Sequence, residues 1–371
     1  MKEECEKLTF EDQESDVLVG IPKEERKIIT QAYDKSVVDI VRMMEEKDIR
    51  LDPEYQRNYV WDNKKASLLI ESLILNVPIP VIYVSQEEDG VWTVIDGLQR
   101  LYSLKRFFEG NFKLTGLEIL SDLNKCDINT LDAKAARILR NGLLRVIMIS
   151  SDSNEEIKYD IFMRLNTGSV HLTEQELRNC LFRGSFNSLL KDLSQNEVWL
   201  SLLGLSSPHK RMADRELELR FFALINSWKR EQNIIEGYAG KMKPFLNAFM
   251  KGNQQLPTIT RQQWKEQFEE TIDKVYSVFG ENAFKRIRQG QDNSNEKSIN
   301  RAIMDVLMLS VSYYSKDILV SHALQIRQEF TALIQDNGDF RDSLQKGTSD
   351  TKVLTYRLQM WCDSLDNIMK A

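Results

Sequence analysis

Three short clusters in the first half of the chain combine residue types that can handle a phosphate. Tyr55-Gln56-Arg57-Asn58-Tyr59-Val60-Trp61 packs an amide, a guanidinium and three aromatics into seven residues. Arginine and amide grip phosphate, and an aromatic lies beside a base. The same residues would also suit a loop whose rings plug a core. The second cluster is Ile95-Asp96-Gly97-Leu98-Gln99-Arg100, placed where a strand pattern turns into a helix pattern. A helix N-terminus presents unpaired N–H groups and a positive dipole end, which attract phosphate. Gly97 removes the Cβ that would block close approach. Arg100 lies one turn in, placed to clamp a phosphate with two hydrogen bonds. Asp96 would hold Mg²⁺ or a water. A plain alternative uses the same spacing: Asp96 as an N-cap with Gln99 three residues on is a capping box.

The third cluster is Phe162-Met163-Arg164-Leu165-Asn166-Thr167-Gly168, followed by Leu172-Thr173 and by Glu176-Leu177-Arg178-Asn179. Asn166 and Gly168 suit a turn with positive φ. Helix-ending chemistry explains both, but not the gathering of Arg164, Arg178 and Asn179 around the same turn. None of the three clusters is a Walker A loop or a G-x-G-x-x-G fingerprint, so both common nucleotide folds are disfavoured.

The elements that must position these clusters follow from periodicity and capping signals. Lys27–Ala32 is β-prone. Ser36 with Asp39 caps a helix whose Val37, Ile40, Val41 and Met44 share a face. Asp62 is the N-cap of a helix over Asn63–Leu75, which Pro78 and Pro80 end. Val81–Ser85 and Val91–Ile95 flank Glu87-Glu88-Asp89-Gly90 and read as a hairpin. The second strand runs through Asp96-Gly97 into a helix over Leu98–Glu109, closed at Gly110. Leu143–Ile149 is a further strand. Ser153 with Glu156, and Thr173 with Glu176, have capping-box spacing. The second half is mostly helical, with helices around Arg215–Arg230, Tyr238–Met250, Arg261–Phe279, Asn300–Tyr314, Asp317–Gln335 and Val353–Met369. The expected fold is α+β. It has an acidic flexible tail (1–25), a small mixed α/β nucleotide-binding domain (26–185) and a mainly α-helical domain (186–371).

Composition narrows the function classes. The chain has 371 residues, long enough for two or three domains with real cores. No apolar run approaches the ~20 residues of a membrane span, and the acidic N-terminus is no signal peptide. The expected location is cytoplasmic, with no membrane partner. The four cysteines, Cys5, Cys126, Cys180 and Cys362, are scattered and form no zinc motif. Only three histidines occur, His171, His209 and His322, and none has metal-pair spacing. Chemistry must therefore rest on carboxylates, amides, arginines and backbone. The formal net charge is −6, and residues 1–25, with nine acids against three bases, carry all of it. The rest of the chain is formally neutral, so net charge does not argue against a nucleic-acid partner, and the tail could itself mimic DNA.

PEYQRNYVW, then IDGLQRLYSL, then FMRLNTGSVHLTEQELRN together resemble the family called domain of unknown function 262, in the ParB/sulfiredoxin-like superfamily. Arg211–Ala223 and Lys297–Ile303 resemble its usual continuation, so the likeness runs from about residue 26 to about 310. The family mark is D-G-Q-Q-R, implicated in nucleoside triphosphate hydrolysis. Here Leu98 replaces the first glutamine, while Asp96, Gly97, Gln99 and Arg100 carry over. Members include the NTPase subunit of GmrSD-type systems, which restrict modified phage DNA, and sensors of phosphorothioate DNA. With His322 the only histidine after 209, an HNH nuclease module is not expected.

The resemblance implies a ParB/sulfiredoxin-like nucleotide domain that binds GTP, ATP or CTP with Mg²⁺ and hydrolyses it. Its catalytic residues would be Asp96, Gln99 and Arg100, with Asp96 also the metal ligand. Gln56, Arg57, Gly97, Arg164 and Asn166 would bind the nucleotide. DNA, a separate nuclease subunit and further copies of the chain are the expected partners. Two other readings stay open: a ParB-like nuclease or nickase, and a nucleotide- or DNA-binding switch without turnover. DNA contact needs positive surface. One candidate is His209–Arg230, with Lys210, Arg211, Arg215, Arg220, Lys229 and Arg230. Another is Lys285-Arg286-Ile287-Arg288. A solvated helix face would look the same in sequence.

Overall fold

The protein is seen in a computed structural model that describes residues 9–10, 28–51, 59, 61–87, 89–153, 161, 173–285 and 298–370. The chain divides into two compact units, Val19–Leu172 and Thr173–Ala371 with Met1–Leu18.

The first unit is mixed, as expected. Its strands are β1 (Thr30–Ser36), β2 (Ile49–Arg50), β3 (Ile82–Gln86), β4 (Trp92–Asp96) and β5 (Leu143–Ile149), and its helices are α1 (Val37–Glu45), α2 (Asn63–Ile74), α3 (Leu98–Phe108) and α4 (Ala133–Asn141). The sheet order is β1-β5-β3-β4-β2. β1/β5 and β3/β4 are antiparallel, while β5/β3 and β4/β2 are parallel. Ser36 closes β1 and opens α1, its Oγ accepting from the Asp39 amide at 3.2 Å. Asp62 caps α2, accepting from the Lys65 amide at 2.7 Å. Asp132 caps α4 through the amides of Lys134 and Ala135, both at 2.9 Å, in a stretch that sequence periodicity leaves irregular.

Ile82, Val84, Val94, Val146 and Met148 share one core with Ile40, Ile70, Leu101 and Leu104 of the helices. The two rings of Tyr33 on edge strand β1 and Trp92 on β4 reach across the sheet and meet over that core, ring centroids 5.4 Å apart. Their strands are three inter-strand spacings apart in the sheet order, about 14 Å, a gap that the two large side chains span. The connection after α3 is pinned by buried Glu71, whose carboxylate accepts from the amides of Ile119 (3.2 Å) and Leu120 (2.8 Å).

The second unit is helical: α5 (Glu174–Leu181), α6 (Ser185–Leu193), α7 (Glu197–Leu203), α8 (Ala213–Ser227), α9 (Met242–Gly252), α10 (Thr258–Phe279), α11 (Arg301–Val311), α12 (Lys316–Ser321), α13 (Ala323–Asp336), α14 (Gly338–Ser343) and α15 (Thr351–Lys370). Every residue from Ala302 to Val311 is buried, so α11 runs through the centre. Asp305 is its one charge inside that stretch. The helix expected over Asp317–Gln335 is two helices, broken at His322.

Two boundaries differ from the sequence reading. The division between units falls at Leu172/Thr173 rather than at 185, because α5 is held to the helical unit. Arg178 on α5 pairs with Glu216 on α8 and donates to Asn247 on α9, at 2.9 and 2.8 Å. In the acidic segment expected to be a mobile tail, Thr9–Phe10 forms a short parallel pairing with Ser298–Ile299. Phe10 and Thr9 are the β-prone pair among the acids.

Candidate functional site

The Asp96–Arg100 cluster is built by a hairpin, a bulge and a helix start. β3 and β4 pair as Val84↔Val94 and Ser85↔Thr93, but Tyr83 pairs with Asp96. Ile95 is thus an extra residue, a β-bulge that re-aims the end of the strand. Gly97 follows at φ 101°, a left-handed conformation that glycine adopts without strain, and α3 begins at Leu98. A Cβ at Gly97 would lie 3.0 Å from Ile82 Cγ1, so both conformation and space select glycine.

The capping-box reading of Asp96 and Gln99 fails on this geometry. Gly97, not Asp96, is the N-cap residue, and the Asp96 carboxylate turns to Arg100 instead, at 2.8 Å. The Arg100 guanidinium also donates to the carbonyls of Pro80 and Val81, and its side chain is only 10% exposed. Burial pulls its pKa below the usual guanidinium value, and Asp96 opposes that shift. Arg100 is thus built into the junction between β3, β4 and α3 rather than presented as an open phosphate clamp. The Asp96 side chain keeps 38% exposure, with Oδ2 on Arg100 and no partner for Oδ1 among the described residues.

Gln99 sits one turn before a polar and aromatic face of α3. Its carbonyl accepts from Ser103 Oγ at 2.7 Å, and Ser103 Oγ is 2.9 Å from the Tyr59 hydroxyl. Tyr59 packs on Tyr102 (4.9 Å), and Arg106 lies over the rings of Tyr59 and Phe112 at 4.9 and 5.2 Å. Tyr59, from the first cluster, is thus anchored on α3. Tyr102, Ser103 and Arg106 were missed as its partners, although their spacing from Gln99 (three, four and seven residues) puts all four on one helix face. Gln56, Arg57, Arg164 and Asn166 lie outside the described residues, as does the helix expected after Ser153. Ser153 itself is buried and bonds the backbone of Ile29, at 3.1 Å to its amide.

The remaining candidates in the helical unit are structural. The Thr173–Glu176 capping box forms in full, and Glu176 also holds Arg211 at 3.0 Å. Arg178 is buried among Glu174, Glu216 and Asn247, and Asn179 accepts from Asn187. The expected basic DNA face over 209–230 is not one. Arg220 is buried and grips Asp305 with two bonds of 2.7 and 2.8 Å, and Arg357 adds a third of 3.1 Å. Arg215 is buried, Lys229 pairs with Glu236 and Arg230 with Asp366. Glu216, in the same stretch, faces Arg178 and Arg301. Of the second basic run, Lys285 bonds Asn282, while 286–288 lie outside the described residues.

On α8, Glu218 is fully buried one turn after Asp214, with neither oxygen hydrogen-bonded at good geometry among the described residues. Burial first, and Asp214 second, push its carboxyl well above the ordinary carboxylate range, against Arg215 and the Trp199 indole.

Among the described residues no group of three or more His, Cys, Asp or Glu could hold a metal ion, and no helix is long and apolar enough to cross a membrane. Comparison with protein families adds one finding. Residues 39–183 match the GmrSD restriction endonuclease, N-terminal domain. That stretch of the chain is similar to the N-terminal domain of a GmrSD-type restriction endonuclease. The matched GmrSD region takes in all three phosphate-type clusters and ends at Arg183, just past α5. No curated protein and no solved structure matches the chain.

Proposed function

We propose that the mixed unit binds a nucleoside triphosphate with Mg²⁺ and hydrolyses it, as the sensor and NTPase part of a modification-dependent restriction system that meets phage DNA. The observation that carries this reading is the junction at Asp96–Arg100. A half-exposed carboxylate stands beside a helix N-terminus that starts on a positive-φ glycine, and an arginine locks it there. The N-terminal dipole and amides of α3 favour an anion at that point, and the match to the GmrSD N-terminal domain supplies the context.

The residues fit a metal held largely by the nucleotide. Asp96 offers one carboxylate oxygen, and Mg²⁺ in such sites takes one or two carboxylates together with phosphate oxygens and waters. When bound, the ion would neutralise phosphate charge. Asp96 would hold it or orient the attacking water, and Gln99 would position that water. Arg100 is a positioning residue in this scheme, because its guanidinium is already committed to Asp96 and two carbonyls. Gln56, Arg57, Arg164 and Asn166 complete the site on the strength of their motifs. Charge placement and positioning are what phosphoryl transfer asks of a protein.

Phosphate release from GTP, ATP, CTP and UTP, with and without modified phage DNA, tests the reading. Turnover by the wild type and a loss of at least about 100-fold in Asp96→Asn are expected, in line with the loss of an electrostatic catalytic group. Equal turnover in the two proteins overturns it. Leu98, in place of the family's first glutamine, favours a second reading, a switch that binds nucleotide without hydrolysis. Tight binding with no phosphate release selects the switch. Nicking of supercoiled plasmid with Mg²⁺ alone selects a nuclease.

A further inference from the structure

In the mixed unit Arg42, Arg50, Arg100 and Arg145 each meet a carboxylate within 3.6 Å. Lys64, Lys65 and Arg106 are held differently. Among the described residues none of the three has a carboxylate partner, and they gather where α2 begins and α3 ends. Arg106 lies over the rings of Tyr59 and Phe112, at 4.9 and 5.2 Å, and donates to Asn63 Oδ1 at 3.2 Å. Lys65 lies over the Trp61 ring at 4.9 Å. The stem of Lys64 lies along Gly116, where a Cβ would come within 2.8 Å of its Cγ. Phe112 and Gly116 belong to one short segment, which therefore joins the arginine to the lysine. The Thr115 amide pins that segment to α2 by donating to Ser67 Oγ at 3.0 Å.

The charge of this patch is not what α2 needs. Lys64 and Lys65 stand in its first turn, where the helix dipole favours acids and disfavours cations. That turn contains no acid, and its cap, Asp62, is engaged by the Lys65 amide at 2.7 Å. Helix stability therefore does not explain the two lysines, whereas an anionic partner does. The side chains are also ordered in advance: ring faces hold Lys65 and Arg106, and Gly116 lets the Lys64 stem lie flat. Ordering before contact lowers the entropy cost of binding. Lys64 and Lys65 are exposed, while Arg106, Tyr59 and Trp61 are half-buried. Each of the two rings already carries a cation, so the surface offers charge rather than a bare stacking face. That suits a phosphate backbone, contacted without regard to sequence.

We propose that Lys64, Lys65 and Arg106 form a contact surface for the phosphate backbone of DNA. Arg215 and Arg220, in the stretch that the sequence suggests for that role, are buried. The inference rests on the reading above that the chain meets DNA, and it adds where the mixed unit holds the duplex.

Anisotropy of labelled duplexes bound by the full chain, from about 50 to about 200 mM NaCl, tests the surface. Each phosphate contact contributes about −0.9 to the slope of log K against log salt concentration. Lys64→Gln, Lys65→Gln and Arg106→Gln should each flatten that slope by about 1. Each should weaken binding about five- to tenfold at about 0.1 M salt, equally for duplexes of different sequence. Arg106→Lys, which keeps the charge, should keep the slope. Arg137→Gln, which removes an exposed base on α4 outside the patch, should change neither slope nor affinity. The Lys64 and Lys65 variants should melt as the wild type does, because both side chains are exposed. Slope and affinity unchanged in all three Gln variants, with a wild type that binds, overturn the surface and leave the DNA reading standing. An equal loss in Arg137→Gln also overturns it, since that marks net charge alone. Polyglutamate that displaces the duplex at equal charge concentration overturns it in favour of an acidic protein partner. A wild type that binds no duplex at about 50 mM salt, where phosphate contacts are strong, overturns the DNA reading and the surface with it.

Discussion

Replacing Asp305 with asparagine should destabilise the helical unit far more than its small change in shape suggests. Asp305 stands between two buried guanidiniums, Arg220 at 2.7 and 2.8 Å and Arg357 at 3.1 Å. Arg357 also donates to the carbonyls of Thr348 (2.7 Å) and Ser343 (3.3 Å), so backbone dipoles carry part of its charge. Burial pulls the Arg357 pKa down and Asp305 raises it, which places the carboxylate as the main favourable charge there. An asparagine in its place would keep one acceptor oxygen and lose the charge, leaving two cations in the interior. Breaking a buried pair in this way costs about 3–5 kcal/mol. At about 2–4 °C per kcal/mol for a unit of this size, the melting temperature should fall by about 6–20 °C. Urea denaturation of wild type and Asp305→Asn, in 0.1 and 1 M NaCl, is the assay. Because the triad is buried, the difference between the two proteins should survive high salt, which screens only exposed charges. A loss below about 1 kcal/mol, the size of an exposed pair, or a difference that disappears in high salt, would refute the argument.

Three further outcomes follow from the same reasoning. Arg220→Ala should lower stability and leave the DNA affinity of the folded protein unchanged, measured by anisotropy below the melting transition; a selective loss of DNA binding would return Arg220 to the surface. Glu218 has its pKa raised in the fold, so the stability it contributes is full below the ordinary glutamate pKa of the unfolded chain and is lost as pH rises toward the folded value. Urea midpoints from pH 5 to 8 should therefore fall in the wild type relative to Glu218→Gln, and parallel curves would contradict the neutral buried acid. Gly97→Ala combines a positive φ with a Cβ 3.0 Å from Ile82, and should cost about 1–3 kcal/mol; a thermal midpoint equal to wild type would show that the turn relaxes freely.

Local signals in the sequence were reliable where the physics is local. Ser36 with Asp39, Asp62, and Thr173 with Glu176 each cap the helix their spacing indicates, because the partners lie within one turn. Leu143–Ile149 forms as read, since a run of that composition suits a half-buried strand. The hairpin and the glycine turn before α3 were legible for the same reason. Asp132 at the start of α4 was a cap signal passed over, in a stretch with little hydrophobic pattern.

Charge was the least legible property. The series Arg211, Asp214, Arg215, Glu216, Glu218 and Arg220 looks like a surface helix, yet Asp214, Arg215, Glu218 and Arg220 are buried, and Arg211, Glu216 and Arg220 pair with charges from distant parts of the chain. Sequence alone determined the mixed and helical halves, the caps and the identity of the Asp96-Gly97-x-Gln99-Arg100 junction. Tertiary structure decided that Arg100 braces Asp96, that a bulge sets Asp96 opposite Tyr83, and that the arginine-rich stretch is interior. The reason is separation along the chain: a cap closes over three residues, whereas Arg220 meets Asp305 and Arg357 only when the helical unit assembles.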